Sequence, residues 1–200
     1  MLNEDYTLMP NGAKIFRGAT INLKPESVSI VKRKVDDNLK DTKIGANTIV
    51  YPGAVIYANV EIGKNCMICS NVVIRDGCKI GDNVLLANNV TLNYNVKIGN
   101  RVKVMDNSHL TGGMIIEDDV FISICVSTSN DNTIGRHTSG YVCNPPKIRS
   151  GARIGAGANI LPNIIVGRNS IVAAGAVVTH NVPESALVMG VPARERKWRG

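Results

Sequence analysis

An aliphatic residue recurs every six positions along most of this sequence. The repeat begins at Ile44, breaks after Ile122, resumes at Ile148 and ends at Val178. Its members are Ile44, Val50, Ile56, Ile62, Ile68, Ile74, Ile80, Leu86, Leu92, Ile98, Val104, Leu110, Ile116, Ile122, Ile148, Ile154, Ile160, Val166, Val172 and Val178. A period of six is a multiple of the two-residue alternation of side chains in a β-strand and does not match the 3.6-residue turn of a helix. Most members are also β-branched, which favours strands. Each hexad is therefore predicted to be a short strand followed by a turn.

A second column lies three residues after each aliphatic and predicts where the chain turns. Eighteen of its twenty members are Asn, Gly or Asp, and the exceptions are Arg101 and Cys125. These residue types tolerate a positive φ, so we expect one corner per hexad. The next column is small or β-branched and includes Cys66 and Cys78, which predicts that both cysteines fill the core.

A longer period of eighteen residues is superposed on the hexads. The pair Ile-Gly recurs at 44–45, 62–63, 80–81 and 98–99. Three hexads per coil predict an all-β solenoid, a triangular prism of parallel strands that rises about 4.8 Å per coil. Seven coils are predicted, from residues 44–61 to 166–183. A narrow interior filled by aliphatics explains why aromatic residues make up only 4% of the chain.

The repeat is interrupted between Ile122 and Ile148, where we predict an inserted loop at 128–147. Ile134 is in phase with Ile116, which suggests a disguised hexad inside the loop. Long loops in compact folds usually serve a function, so the loop is a candidate site. The predicted organisation is an N-terminal cap or extension at 1–43, a solenoid at 44–183 and a basic C-terminal cap at 184–200.

Composition limits the possible settings and partners. No apolar run approaches the roughly 20 residues that cross a bilayer, and the first residues lack the basic region of a secretory signal. We expect a cytoplasmic protein without membrane insertion. The net charge of +7 suits phosphorylated ligands or a solvated basic surface, and no nucleic-acid partner is predicted. Cys66 and Cys69 have no second metal-binding pair, so no metal site is predicted.

Residues 154–194, IGAGANILPNIIVGRNSIVAAGAVVTHNVPESALVMGVPAR, resemble the left-handed β-helix acyltransferases with hexapeptide repeats. The period does not determine the handedness, and parallel crossovers are usually right-handed. The resemblance instead implies a left-handed helix, a homotrimer, and acyl transfer from acetyl-CoA in clefts between subunits.

The segment EDDVFISICVSTSNDNTIGR at 117–136 resembles a subgroup of these enzymes, the N-acetyltransferases that act on UDP- or dTDP-linked amino sugars. This resemblance implies that Asn130 and Asp131 are catalytic, with Asn130 positioning the sugar or the donor carbonyl and Asp131 orienting the amine. It also makes Glu117 and Arg136 substrate-binding candidates. His137 lies beside Arg136 in the same loop and is a candidate phosphate contact.

The resemblance thus implies acetyl transfer from acetyl-CoA to the amine of such a sugar, and the alternative acceptor is a sugar hydroxyl. A hydroxyl needs a general base to remove its proton, whereas an amine reacts as its free base. O-acetyltransferases of this fold typically use a histidine, and His109 is our candidate. The alternative for His109 is a surface or turn histidine without a catalytic role, and His180 is interpreted as a surface residue.

Coenzyme A carries phosphates that a basic C-terminal run would bind. Arg194 and Lys197 are the candidates there, with Arg168 on the last coils. The resemblance implies that small corner residues, Ala156 and Ala174, allow the pantetheine arm to approach the backbone. A solubilising tail is the alternative for the basic run.

Two other classes of protein fit the sequence less well. A metal-dependent hydratase would need three histidines converging on zinc, but the histidines here are not separated by whole coils. A purely structural solenoid would show neither the inserted loop nor the basic tail. Among the scarce aromatics, Phe121 and Tyr141 lie at or in the broken coil, where a sugar or base could stack.

Overall fold

A computed structural model describes residues 5–26, 35, 38–136 and 142–197, and its strands, numbered in chain order, form three faces. Face 1 contains β1 (Tyr6–Leu8), β2 (Lys14–Phe16), β5 (Ile49–Val50), β8 (Met67–Ile68), β11 (Leu85–Leu86), β14 (Lys103–Val104), β17 (Phe121–Ile122), β20 (Arg153–Ile154), β23 (Ile171–Val172), β25 (Leu187–Met189) and β26 (Arg194–Arg196). Face 2 contains β3 (Thr20–Leu23), β6 (Val55–Tyr57), β9 (Val73–Ile74), β12 (Thr91–Leu92), β15 (His109–Leu110), β18 (Ser127–Thr128), β21 (Asn159–Ile160) and β24 (Val177–Val178). Face 3 contains β4 (Lys43–Ile44), β7 (Glu61–Ile62), β10 (Lys79–Ile80), β13 (Lys97–Ile98), β16 (Ile115–Ile116), β19 (Lys147–Ile148) and β22 (Ile165–Val166).

The chain visits faces 1, 2 and 3 in turn, and each strand pairs in parallel with the strand one coil away. The result is an all-β parallel solenoid of about eight turns, the left-handed β-helix built by hexapeptide repeats. The right-handed preference of parallel crossovers therefore does not decide the winding of this chain. We name the three edges of the prism the 1–2, 2–3 and 3–1 corners after the faces they join. No helix long and apolar enough to cross a membrane occurs in the described ranges.

The aliphatic column fills the interior, as the repeat predicts. Leu86, Leu92, Leu110 and Ile122 are among its members with at most 1% exposure. The neighbouring small column is buried as well, and the thiol of Cys78 donates to the carbonyl of Asn93 at 3.0 Å. This confirms the core role of Cys78, and the thiol of Cys66, which donates to the Gly81 carbonyl at 3.2 Å, has the same role.

The corners are where the sequence predicts them. Every member of the predicted corner column has a positive φ except Asn181, including Arg101 and Cys125, both at 56°. The recurring Ile-Gly pairs have a different cause, because the backbones of successive coils approach closely at the 3–1 corner. A Cβ atom at Gly81 would lie 2.7 Å from the carbonyl oxygen of Gly99, so only glycine fits.

The solenoid begins one coil earlier than the sequence predicts. Strands β2 and β3 pair in parallel with β5 and β6, and their residues Ile15 and Ile21 continue the aliphatic column. Gly12 and Gly18 supply the positive-φ corners of this coil, at 82° and 86°. The phase was hidden because residues 24–42 separate β3 from β4, so the first coil has a long connection at the 2–3 corner.

In the broken coil the inward position is filled by Thr128 and not by Ile134, the residue in phase with Ile116. Thr128 in β18 is 5% exposed and occupies the inward position, whereas Ile134 is 91% exposed with a φ of 52°. The prediction of a disguised hexad at Ile134 is therefore wrong. Thr128 can lie in the core because its hydroxyl accepts from Thr111 N at 2.9 Å and donates to the His109 carbonyl at 3.1 Å.

Each end of face 1 carries an antiparallel strand. At the N-terminal end β1 pairs with β2, and at the C-terminal end β26 pairs with β25. The first of these ends is aromatic: the rings of Phe16 and Tyr51 stack at 5.3 Å, and Tyr6 lies 5.4 Å from Phe16. An antiparallel strand at each end covers a strand edge that would otherwise be open to pairing.

Candidate active site

His109 projects outward from face 2 in the fifth coil. It is the first residue of β15, and its inward neighbour Leu110 anchors the strand in the core. Its Nδ1 atom lies 2.7 Å from the hydroxyl of Thr91, which pairs with it in register one coil below. Thr91 was not predicted as a site residue, although its separation of one coil from His109 places the two side by side.

The surroundings of His109 suit a base. Partial desolvation lowers the pKa of His109 below its ordinary value, so the ring is neutral at neutral pH. Thr91 can accept a hydrogen bond from Nδ1–H, which leaves Nε2 as the basic atom. In the described part of the chain, Nε2 makes no hydrogen bond.

Small residues lie along the 1–2 corner beyond His109. Ala156 and Ala174 occupy this corner in the seventh and eighth coils, and the carbonyl of Ala156 accepts from Gly175 N at 2.8 Å. Ala174 is exposed and Ala156 half-buried. Because coils rise about 4.8 Å each, these residues lie roughly 10 to 15 Å along the axis from His109. In the sixth coil the equivalent position is Ile124, 45% exposed, so the small residues are confined to the seventh and eighth coils; the line from His109 past these residues is named the track.

Arg194 lies at the far end of this track. It pairs with Met189 in the terminal hairpin, and the preceding Ala193 donates its N–H to the carbonyl of Val177 on face 2. Arg194 also lines an open pocket together with His180, which is exposed as expected. His109, Ala156, Ala174 and Arg194 thus follow one corner of the prism.

The other two cofactor candidates lie across face 1. Arg168 is at the 3–1 corner, between β22 and β23, and is exposed. Lys197 follows Arg196, which pairs with Leu187 at the same side of the face. The structure therefore separates Arg168 and Lys197 from the track at the 1–2 corner by the width of a face.

Asn130 and Asp131 lie at the 2–3 corner, where the inserted loop leaves the sixth coil. The amide of Asn130 donates to the Gly112 carbonyl at 3.3 Å, and its own carbonyl accepts from Asn144 N at 3.0 Å, which closes the base of the loop. The carboxylate of Asp131 accepts from Thr133 N and Thr133 Oγ1, each at 2.6 Å, and from Gly135 N at 2.8 Å. Both residues therefore organise the loop.

The substrate candidates are dispersed. Arg136 is exposed near the described end of the loop. Glu117 is at the 3–1 corner, where it accepts from Arg149 Nη1 at 2.6 Å and from both the N–H and hydroxyl of Ser150 at 3.0 Å. The hydrogen bond from Arg149 is the main cause that lowers the pKa of Glu117. Glu117 thus anchors the chain as it returns from the loop, whereas His137 and Tyr141 lie outside the described residues.

Comparison with known proteins identifies the repeat. The family model described as "Bacterial transferase hexapeptide (six repeats)" matches residues 41–76, 62–94 and 145–180. The serine acetyltransferase of Salmonella typhimurium (strain LT2) is 45% identical over 82 residues, which are 40% of this chain and 27% of that protein. The chain thus spans about a quarter of the length of this relative.

Two solved structures share the fold over most of the chain. One is AntD, an N-acyltransferase from Bacillus cereus solved with dTDP and coenzyme A, with 21% identity, a TM-score of 0.50, and coverage of 79% of this chain and 84% of that one. The other is the polySia-specific acetyltransferase NeuO, with 17% identity, a TM-score of 0.53, and coverage of 92% and 86%. The coils at residues 41–94 and 145–180 thus match the repeat of bacterial hexapeptide transferases, and the two solved structures share the fold.

Proposed function

We propose that this protein transfers an acetyl group from acetyl-CoA to a hydroxyl acceptor, with His109 as the general base. The observation that carries the proposal is the alignment of the His109–Thr91 pair, Ala156, Ala174 and Arg194 along the 1–2 corner. An extended pantetheine arm suits such a track, with its thioester at His109 and its phosphates near Arg194. The identity to serine acetyltransferases, over 40% of the chain, supports acetyl transfer.

In the proposed reaction, His109 Nε2 accepts the proton of the acceptor hydroxyl as its oxygen attacks the thioester carbonyl. The carbon–sulfur bond then breaks, and the imidazolium returns the proton to the departing thiolate. Thr91 is a positioning residue, because its hydroxyl holds Nδ1 and so fixes the ring and its tautomer. The products are the acetyl ester and coenzyme A.

A second candidate acceptor is the amine of a UDP- or dTDP-linked amino sugar. It is favoured by the resemblance of residues 117–136 and by the position of Asn130 and Asp131 at the base of a loop that carries the exposed Arg136. The Arg136 guanidinium would bind a phosphate. An amine needs less help with its proton, so His109 would be less important in this reaction.

We also propose that the active form is a homotrimer in the cytoplasm, with acceptor clefts between subunits. The outward positions are apolar on face 1 in coils two to four, at Ile49, Met67 and Leu85, and on face 2 in coils two and three, at Val55 and Val73. Met67 is 39% exposed. Contiguous exposed apolar surface of this kind is typical of subunit interfaces. Light scattering of the purified protein measures the mass directly, and a monomer would refute the trimer.

The test of the proposed function is a thiol-release assay with acetyl-CoA and a panel of hydroxyl and amine acceptors. For a hydroxyl acceptor, His109→Ala should lower kcat by about 100- to 10,000-fold, while Asn130→Ala has a smaller effect. The reverse pattern, with release only for amino sugars, would replace the hydroxyl acceptor by the amine. Asn159→Ala is the matched control, since Asn159 has the same outward position on face 2 two coils above His109. Loss of release for every acceptor by the wild type would refute acetyl transfer.

A further inference from the structure

A second groove lies on face 1, away from the track at the 1–2 corner. It is lined by Arg101, Lys103, Asp119, Val120, Phe121 and Arg153. Three of these residues carry positive charge and one carries negative charge, with Asp118 as a further neighbouring carboxylate. None of these residues belongs to the track at the 1–2 corner.

The middle of the groove is an aromatic ring between two cations. Lys103, Phe121 and Arg153 pair in register in successive coils, so their outward side chains are spaced by about 4.8 Å. Lys103 and Arg153 are exposed, and Phe121 is half-buried. The inward neighbours Val104, Ile122 and Ile154 are buried, which fixes the outward direction of all three side chains.

Asp119 holds two arginines at the edge of the groove. Its carboxylate accepts from Arg101 Nε and Nη2, each at 2.7 Å, and its carbonyl accepts from Arg153 Nη1 at 3.0 Å. Among the described residues, these bonds leave Nη1 of Arg101 and the Nε and Nη2 of Arg153 available to a ligand. Guanidinium groups fixed in this way are prepared to bind a phosphate without losing side-chain freedom.

The residue type at this corner departs from the rest of the repeat, although the backbone does not. Arg101 has a φ of 56°, a conformation that at most other corners is taken by Asn or Gly. Arginine gains nothing locally from this conformation, since it has no short polar side chain to bond its own backbone. The side chain of Arg101 instead forms the two-point pair with Asp119, so the strained corner builds one wall of the groove.

We propose that this groove binds a nucleoside phosphate, with the base stacked on Phe121 and the phosphates held by Lys103 and Arg153. Every nucleobase has a face that stacks on an aromatic ring, and phosphate oxygens accept hydrogen bonds from guanidinium and ammonium groups. The ligand could be the adenosine part of coenzyme A or a pyrimidine nucleoside diphosphate. Both present a base and phosphates, so the groove chemistry is the same for either.

The test is calorimetric titration of the full chain without an acyl donor, using coenzyme A, UDP, dTDP and inorganic pyrophosphate as separate probes. At least one nucleotide should bind, and Phe121→Leu should weaken its Kd by about fivefold or more, since stacking is lost while an apolar side chain remains. Lys103→Gln and Arg153→Gln should each weaken it by about tenfold. Lys97→Gln, which removes the same charge from an outward position on face 3, is the matched control and should leave the Kd unchanged.

A further variant separates positioning from net charge. Asp119→Asn removes a negative charge, which by itself would tighten phosphate binding, yet it weakens the bonds that fix Arg101. We expect weaker binding, and tighter binding would overturn the positioning of the arginines by Asp119. Asparagine tolerates the φ of 62° at this corner, so the backbone is retained.

The probes identify the source of the ligand and the outcomes that refute the proposal. Binding of coenzyme A alone, weakened by Phe121→Leu, assigns the groove to adenosine, and binding of UDP or dTDP assigns it to a pyrimidine nucleotide. No binding of any nucleotide, or nucleotide binding that is unaffected by Phe121→Leu and Lys103→Gln, overturns the proposal. Pyrophosphate binding as tight as that of the nucleotides overturns the role of the base. A change of mass in Phe121→Leu without nucleotide binding would make the groove a subunit interface. These titrations contain no acyl transfer, so their result is independent of the assay for acetylation.

Discussion

The 1–2 and 2–3 corners of the prism enclose the same interior repeat, but only the 2–3 corner carries long insertions. The 1–2 corner runs without insertion from the first coil to the eighth, and its asparagines form a ladder in which Asn71 donates to Asn89 at 3.3 Å and Asn89 to Asn107 at 3.1 Å. The 2–3 corner carries both long connections, at 24–42 and 129–146. The continuous corner suits a long donor, and the interrupted corner suits a loop that selects the acceptor.

The difference shows what the interior requires. Each coil must return its inward side chains to the same columns, and the structure meets this requirement with Ile148 directly above Ile116 despite the loop between β18 and β19. A loop at a corner leaves the neighbouring strands paired, so it costs little stacking, and loop-closure entropy grows only slowly with length. Outward corners are therefore the positions at which the fold can change its function.

The largest expected effect comes from blocking the continuous corner. Ala174→Phe should raise the KM for acetyl-CoA by about 100-fold or more, because a ring would occupy the space proposed for the pantetheine arm. The measurement is steady-state kinetics with varied acetyl-CoA. Ser70→Phe is the control, since Ser70 occupies the same corner far below the track. Equal KM values for both variants would mean that the donor does not use this corner.

The interior and its corners could be predicted from the sequence because every coil repeats the same steric demands. Arg101 and Cys125 were correctly placed at positive-φ corners from their position in the column alone. Thr128 was missed because threonine reads as polar, and its role depends on two hydrogen bonds to the neighbouring coil. Ile134 was misassigned because its phase is coincidental in a loop.

The site was less predictable than the fold. His109 was identified by residue type, but its partner Thr91 becomes visible only when residues one coil apart are compared. Ala156, Ala174 and Arg194 lie along one corner, whereas Arg168 and Lys197 lie at the other side of face 1. Periodicity predicts which residues face outward, and it does not predict which corner a ligand follows.

Shortening the interrupted corner should separate the two roles. Replacing residues 131–143 by a short glycine linker should lower kcat/KM for the acceptor by about tenfold or more, because the organised loop is lost. The Kd for coenzyme A and the melting temperature should change little, since Asn130 and Asn144 lie next to each other at the loop base. Calorimetry and thermal unfolding measure these two quantities. A large loss of coenzyme A affinity would mean that the donor binds at the 2–3 corner and not at the 1–2 corner.

Thr128 tests how the sixth coil tolerates its loop. Thr128→Val makes the core more apolar but leaves the N–H of Thr111 without its acceptor, so the free energy of unfolding should fall by about 1–3 kcal/mol. Urea unfolding measures the change. Thr128→Ser retains the hydroxyl and should lose less. If valine stabilised the protein, the hydrogen bonds of Thr128 would not be needed to complete this coil.

The smallest expected effect is a shift of pH dependence at His109. Its lowered pKa means that the folded protein binds fewer protons than the unfolded chain between the folded and unfolded pKa values. The acid limb of kcat/KM should therefore have its midpoint below the ordinary histidine value of about 6.5, and stability should fall slightly as the pH drops through this window. A midpoint above the ordinary value would contradict a desolvated neutral base.

Thr91→Val should lower kcat with little change in KM for either substrate.

The regular coil fixes the spacing of side chains along the axis of the solenoid. Residues one coil apart in register, such as Thr91 and His109, are separated by a constant step of about 4.8 Å along the axis. The axial separation of His109 from Arg194 is therefore set by the number of coils between them. Duplicating or deleting one coil between them would lengthen or shorten the track by one step without disturbing the interior columns. The length of ligand that fits is thus set by counting repeats, and it can change only in discrete increments.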